Sequence, residues 1–214
     1  MSVIGIMGES GSGKTTSMRN LDPKSTLYID CDKKGLSWQG WRKQYNKNNK
    51  NYMVTDDKDV ILSVLHTYNE KHPEIKTIVI DTMNGVMVAD EFKRRKEKTY
   101  DKWADLAWAV YEIIDNALTV RDDLNIILVF HSQTVRDELG YNWTCIKTSG
   151  QKLTKIGLET KLTTILYAKV EEGNYIFETQ SNNSTAKSPM GLFDSLTIEN
   201  DIAKVLEAIN KYNG

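Results

Sequence analysis

Short apolar runs rich in β-branched residues recur along the chain at SVIGIM, TLYID, YMVT, TIVID and NIILVF. Most are separated by stretches long enough for a helix, and that alternation predicts a parallel sheet with crossover helices on both faces. The clearest helical periodicity covers 99–120, where Trp103, Leu106, Ala107, Val110, Ile113, Ile114, Ala117 and Leu118 recur at three- and four-residue steps. One face of that helix is buried. Thr55 followed by DDKDVILSVLHTYNE supplies a cap, acids in the first turn and an apolar face, so a second crossover helix leads into TIVID. After NIILVF the pattern changes: TTILYAKVEEGNYIFETQ reads as two strands joined by a turn at Glu172 and Gly173. Ile202, Val205, Leu206 and Ile209 then place a closing helix over 199–212. Pro23, Pro73 and Pro189 each fall between periodic segments, and no repeat or low-complexity tract interrupts them.

Composition narrows this picture. The 214 residues, 40% hydrophobic and 27% charged, bury one substantial core and are short for two enzyme domains, so 1–214 is expected to be a single domain. Lysine and arginine total 28 against 29 acids, so any nucleic-acid site is a local patch rather than a global field. Cys31 and Cys145 lie far apart without CxxC spacing, which argues against a disulfide framework and a zinc site and fits a reducing cytoplasm. The N-terminal run VIGIM is too short for a signal-peptide core, and no later run approaches a membrane span.

GESGSGKT, Gly8 to Thr15, has glycine, four free positions, glycine, lysine and a hydroxyl after a strand, in a context that is expected to open a helix. Glycines at 8, 11 and 13 permit backbone angles closed to other residues, so successive amides can surround phosphate oxygens. Gly8, Glu9, Ser10, Gly11, Ser12, Gly13, Lys14, Thr15 and Thr16 are therefore the expected nucleotide-binding residues. Lys14 adds the charge that neutral amides lack, and the Thr15 hydroxyl suits the shell of a magnesium ion on the outer phosphates of ATP. KTIVIDTMNG ends a strand in Asp81, which is the expected second magnesium holder.

The number of strands between the loop and Asp81 bears on the class of reaction. Many small-molecule kinases place the acidic strand next to the loop strand, whereas hydrolases of polymer-associated systems insert at least one more. TLYID and YMVT both precede TIVID here. With these motifs in order, the chain resembles the RecA-like P-loop ATPases, and more closely the small phage-type members associated with single-strand annealing. That resemblance implies a three-layer α/β P-loop NTPase fold, with a mostly parallel RecA-like sheet and a C-terminal β-hairpin. LYIDCDKKGL resembles the family strand whose second acid orients the attacking water, here Asp32. VFHSQ resembles the strand ending in a phosphate-sensing glutamine, here Gln133. KTSGQKL resembles the glycine segment after a DNA-contacting loop. The family usually carries glutamate where this chain has Asp32, one methylene shorter. Chemistry alone also favours a carboxylate at the tip of a strand neighbouring the phosphate loop. Asp30 competes with Asp32, and is expected to be buried or to cap a turn. His131 shares the Gln133 strand face and is either a phosphate contact or a polar strand cap.

For a polymer, EFKRRKEKTYDKW concentrates Lys93, Arg94, Arg95, Lys96 and Lys98, which either neutralise backbone phosphates or form a solvated face bridged to Glu91 and Glu97. TVRDELGYNWTCIKTSGQKLTKIG is expected to be a long loop carrying Arg136, Tyr141, Trp143, Lys147, Lys152 and Lys155. Lys187 resembles a basic residue that phage RecA-like proteins present to a neighbouring subunit's nucleotide; the plainer reading is a turn lysine before Pro189. The resemblance implies a magnesium-dependent ATPase that binds single-stranded DNA in annealing, recombination or replication. It further implies a homo-oligomeric ring or filament, a single-strand-binding or recombination protein as partner, and no membrane. A small-molecule phosphotransferase is the alternative enzyme, although no arginine-rich lid is evident. A nucleotide-switched protein-binding module with little turnover is the third reading.

Overall fold

The computed structural model describes residues 2–97, 101–136, 140–148 and 157–214, with the backbone alone at 101–104, 106 and 107. Its strands are β1 (Val3–Gly8), β2 (Thr26–Asp30), β3 (Tyr52–Val54), β4 (Thr77–Asp81) and β5 (Asn125–Arg136), followed by β6 (Asn142–Ile146), β7 (Thr164–Glu171), β8 (Asn174–Glu178) and β9 (Thr197–Glu199). Helices are α1 (Trp41–Gln44), α2 (Lys58–Lys71), α3 (Met83–Lys93), α4 (Asp101–Ala117) and α5 (Ile202–Tyr212). Among the described residues the strands form one sheet in the order β3-β2-β4-β5-β1-β7-β8-β9, with β6 pairing to β5 outside that row.

Strands β1, β2, β3, β4, β5 and β7 run parallel, and β8 returns antiparallel to β7. Parallel strands are covered on both faces, and β4 shows it: Ile78 and Ile80 join one core while Val79 joins the other. The first core is closed by Ile61 and Val64 of α2, Val86 of α3, and Val110 and Ile113 of α4. The second is closed by Ile202, Val205 and Ile209 of α5. Each fully buried aliphatic side chain here contributes about 1.5–3 kcal/mol. The expected three-layer α/β architecture is thus observed. The strand between β1 and β4 is β5, whereas β2 and β3, which the strand count turns on, lie beyond β4.

The hairpin turn falls at Glu172 (φ 49°) and Gly173 (φ 81°), the two left-handed residues that a two-residue hairpin turn requires. Three expectations change. Asp57, not Thr55, caps α2, because its Oδ1 accepts from the amides of Asp59 and Val60 while Thr55 Oγ1 accepts only from Asp57 N. The stretch after Gln133 is not a loop throughout: Thr134–Arg136 extend β5 and pair antiparallel with β6. The helix expected after the phosphate loop is only a 3-10 turn, Thr16–Met18. Pro23 disfavours helical angles at Asp22, so the chain has little room before it must enter β2. The side chains of Trp103, Leu106 and Ala107 lie outside the described residues, but Val110, Ile113, Ile114 and Ala117 are buried as their spacing requires. Among the described residues no helix is long and apolar enough to cross a membrane.

Candidate functional site

Gly8 of β1, Asp30 of β2, Asp81 of β4 and Val129 to His131 of β5 lie at one level of the sheet; of the expected catalytic groups Lys14 and Asp32 follow the ends of β1 and β2, whereas Gln133 lies further along β5 and Lys187 lies outside these strands. β1 ends at Gly8, where a Cβ would overlap both Ser12 Oγ and the Ala168 carbonyl oxygen. Gly11 and Gly13 adopt φ of 82° and 90°, so the loop of Glu9, Ser10, Gly11, Ser12 and Gly13 folds tightly over the strand end. Because one 3-10 turn carries little macrodipole, the loop relies on its own amides and on Lys14 for positive character. That turn is anchored from α5's entry: Arg19 Nη1 donates to Asn200 O at 2.7 Å and Asn20 Nδ2 to Asp201 Oδ2 at 2.6 Å. Thr16 Oγ1 lies 2.9 Å from Ser37 Oγ.

Lys14 is 7% exposed, and its ammonium donates to the carbonyls of Gly8 at 2.7 Å and Glu9 at 2.6 Å. Burial lowers its pKa to about 8, against the opposing pull of Asp81. Thr15 Oγ1 donates to Asp81 Oδ2 at 2.7 Å, joining the two expected metal holders across 66 residues of sequence. The same Oδ2 accepts from the Tyr28 hydroxyl at 2.5 Å. Oδ1 of Asp81 is buried without a partner, as is Ser12 Oγ in the loop. A buried carboxylate oxygen left unpaired is costly, and it fits a hard cation that binds through one or two protein oxygens and retains waters. Burial raises the Asp81 pKa, and the two hydroxyl donors oppose that rise.

β2 delivers the two acids in different roles. Asp30 is buried; it accepts from the amides of Lys33 at 2.9 Å and Gly35 at 2.8 Å and from the Tyr52 hydroxyl at 2.6 Å. It therefore caps the turn after β2. That turn carries Asp32 to the start of α3, where Thr82 Oγ1 donates to Asp32 Oδ1 at 2.9 Å. Gly85 permits the approach: a Cβ there would meet Cys31 O at 2.8 Å and Asp32 Oδ1 at 2.9 Å. Asp32 Oδ2 pairs with Lys34 at 2.5 Å. Asp32 also lines a cleft of about 760 Å³ with His131, Asn84, Gly85, Phe92, Arg95 and Lys147, among others.

On β5, His131 aligns with Gly8 and is the strand's side chain in that cleft. Burial, then the Lys14 charge, lowers its pKa, so the ring is neutral at neutral pH. Gln133 turns towards β6, with Nε2 donating weakly to Ile146 O at 3.5 Å. Asn84 ties the elements together: its Oδ1 accepts from His131 N at 2.7 Å and its Nδ2 donates to Lys147 O at 2.9 Å. Tyr28, Thr82, Asn84 and Gly85 escape a motif search because each belongs to the site only through contacts far along the chain, and Lys34 because its partner Asp32 becomes part of the site only when the turn after β2 reaches α3. A phenol inside the wholly buried TLYID was the one available signal, since it must find an acceptor.

The basic residues divide. Lys93 pairs with Asp57 at 2.6 Å, and Arg94 with Glu97 and Asp105 at 2.7 Å each, so these two are satisfied by acids, of which Glu97 is the expected partner and Asp57 and Asp105 are not. Arg95 donates to Phe92 O at 3.2 Å and, with Lys147, rims the cleft beside Phe92, which is 65% exposed. Lys96 is exposed, and Arg136 Nε donates to Gly140 O at 3.0 Å. Lys98, Lys152 and Lys155, and most of KTSGQKL, lie outside the described residues. The backbone of Lys187 pairs with Ile165, which aligns with Gly5 rather than Gly8, so within its own chain it is not at the loop.

Comparison with known proteins agrees with the geometry. No curated protein matches the chain. The profile of the AAA domain family matches residues 2–190, which span the phosphate loop, both acids and the cleft. The chain therefore belongs to the AAA domain family of P-loop ATPases.

Proposed function

We propose that the chain is a magnesium-dependent ATPase whose turnover is coupled to single-stranded DNA, in annealing, recombination or replication, and that it works as a homo-oligomer. The observation that carries the reading is the cleft: Asp32, the carboxylate suited to orienting water, shares it with the basic and aromatic rim of Arg95, Lys147 and Phe92. Cations beside an exposed aromatic side chain suit a single strand, by phosphate neutralisation and base stacking.

In this reading the loop amides and the Lys14 ammonium bind the outer phosphates of ATP. Thr15 Oγ1 and Asp81 Oδ1 would hold magnesium, which supplies charge neutralisation at those phosphates when bound. Asp32 accepts a hydrogen bond from the attacking water and draws its proton, and neutral His131 adds a second hydrogen-bonding group at that end. Gln133 and Asn84 link β5 to β6, so a change at the phosphate end reaches the strand that leads to Lys147. Lys187 would act on a neighbouring subunit's nucleotide.

The switch-like reading also has an observation in its favour: both oxygens of Asp32 are engaged, by Thr82 and by Lys34. Phosphate release from ATP, followed in the unaltered chain and in Asp32→Asn, separates the two. Hydrolysis requires a fall of about 10²-fold or more with nucleotide affinity retained, whereas a switch shows little release in either. Charge reversal at Arg95 and Lys147 should weaken binding of a labelled single-stranded oligonucleotide; unchanged binding would remove the cleft from the DNA path.

A further inference from the structure

Lys34 has no place among the nucleotide, metal or water-orienting residues, yet its ammonium reaches the centre of the site. Its Nζ lies 2.5 Å from Asp32 Oδ2. From there a chain of direct contacts runs to the loop: Asp32 Oδ1 accepts from Thr82, Thr82 follows Asp81 in sequence, and Asp81 Oδ2 accepts from Thr15, next to Lys14. The Lys34 side chain is 52% exposed and that of Asp32 17%, so the lysine is the outer, more solvated member of the pair. Asp30 fixes its base, because the Asp30 carboxylate holds the amides of Lys33 and Gly35 on either side of it. Its charge is felt across the site: behind the larger effect of burial it adds to the lowering at Lys14 and His131, and it opposes the burial-driven rise at Asp81.

Lys33, the adjacent cation, pairs outward with Asp56 at 2.7 Å, and Lys14 is held beneath the loop. Lys34 is thus the cation paired directly with Asp32, whereas Arg95 and Lys147 line the cleft beyond it. A nucleoside triphosphate offers it a more highly charged partner than a single carboxylate, and an exposed ion pair is held by little net free energy. The exchange has a second effect: it releases Asp32 Oδ2, the oxygen that an attacking water needs as acceptor.

We infer that Lys34 is a terminal-phosphate ligand supplied within the same chain, which leaves Asp32 for the last phosphate of a nucleoside triphosphate and so unmasks the water-orienting carboxylate. The inference rests on the ATPase reading of the site. It predicts discrimination between tri- and diphosphate, since only the former carries the phosphate that Lys34 takes. The test is the affinity of a non-hydrolysable ATP analogue and of ADP, each with magnesium, for the unaltered chain and for Lys34→Met and Lys34→Arg. Lys34→Met should weaken the triphosphate by about tenfold, the worth of one charge-assisted hydrogen bond, and leave ADP within about twofold. Lys34→Arg should restore most of the difference. Equal losses for both nucleotides, or none for the triphosphate, would overturn it. Failure of the unaltered chain to bind either nucleotide would reject the ATPase reading, and this inference with it.

Discussion

The Tyr28 phenol donates to Oδ2 of Asp81 at 2.5 Å, while Oδ1 of the same buried carboxylate has no partner. With Thr15 on Oδ2 as well, the carboxylate cannot rotate without breaking two hydrogen bonds, so Oδ1 is the oxygen presented to a cation. Outer hydrogen bonds of this kind typically control metal affinity by 10–100-fold. Tyr28→Phe should therefore raise the magnesium concentration needed for tight nucleotide binding by about tenfold or more. Burial already raises the Asp81 pKa and the phenol opposes that rise, so its removal lets protons compete with the metal at higher pH. Magnesium titrations of nucleotide binding at two pH values check both effects; an unchanged magnesium requirement would show that the phenol is only core.

Gly85→Ala tests the placement of Asp32. The added methyl would meet Cys31 O at 2.8 Å and Asp32 Oδ1 at 2.9 Å, so the turn after β2 must retreat from α3. Misplacement by about 1 Å costs on the order of 10² in rate, while the loop that binds phosphates is untouched. ATP turnover should fall by about that factor with nucleotide affinity nearly unchanged, as measured by steady-state phosphate release beside equilibrium binding.

Lys14 supplies a pH dependence. Burial lowers its pKa from the ordinary 10.5 to about 8, and phosphate binding needs the ammonium. Above pH 8 binding takes up a proton, and affinity should fall by about tenfold per unit until the pKa of the bound form is reached. The sign for folding is opposite: between about 8 and 10.5 the unfolded chain holds the proton more tightly, so this group's contribution to stability grows as pH rises through that window. Calorimetric titrations at pH 7 and 9 in buffers of different ionisation enthalpy count the proton directly; pH-independent affinity would contradict the assignment.

What the sequence revealed is what depends on neighbours along the chain. Gly8 to Thr15 needs its glycines at fixed positions because backbone angles are local, and Asp30, Asp32 and Asp81 stand out because each follows an apolar run. The absent helix after the loop was also local in cause, since Pro23 limits it, but motif context pointed the other way. β6 was hidden because Asn142 to Trp143 are exposed, so no apolar alternation marks the strand. For Arg94 and Lys93 the sequence offered only the nearby Glu91 and Glu97 as partners, and Asp105 and Asp57 reach them only on folding. Tyr28 and Lys34 became legible only when β2 aligned Asp30 with Asp81 and the turn after it reached α3.

The central claim is that hydrolysis at this site answers to a polymer in the adjoining cleft. Steady-state ATP turnover by the unaltered chain, measured with magnesium in the presence and absence of single-stranded DNA, tests it most directly. The account predicts turnover that rises on adding the strand and is abolished in both conditions by Lys14→Ala; the same rate with and without DNA would contradict it.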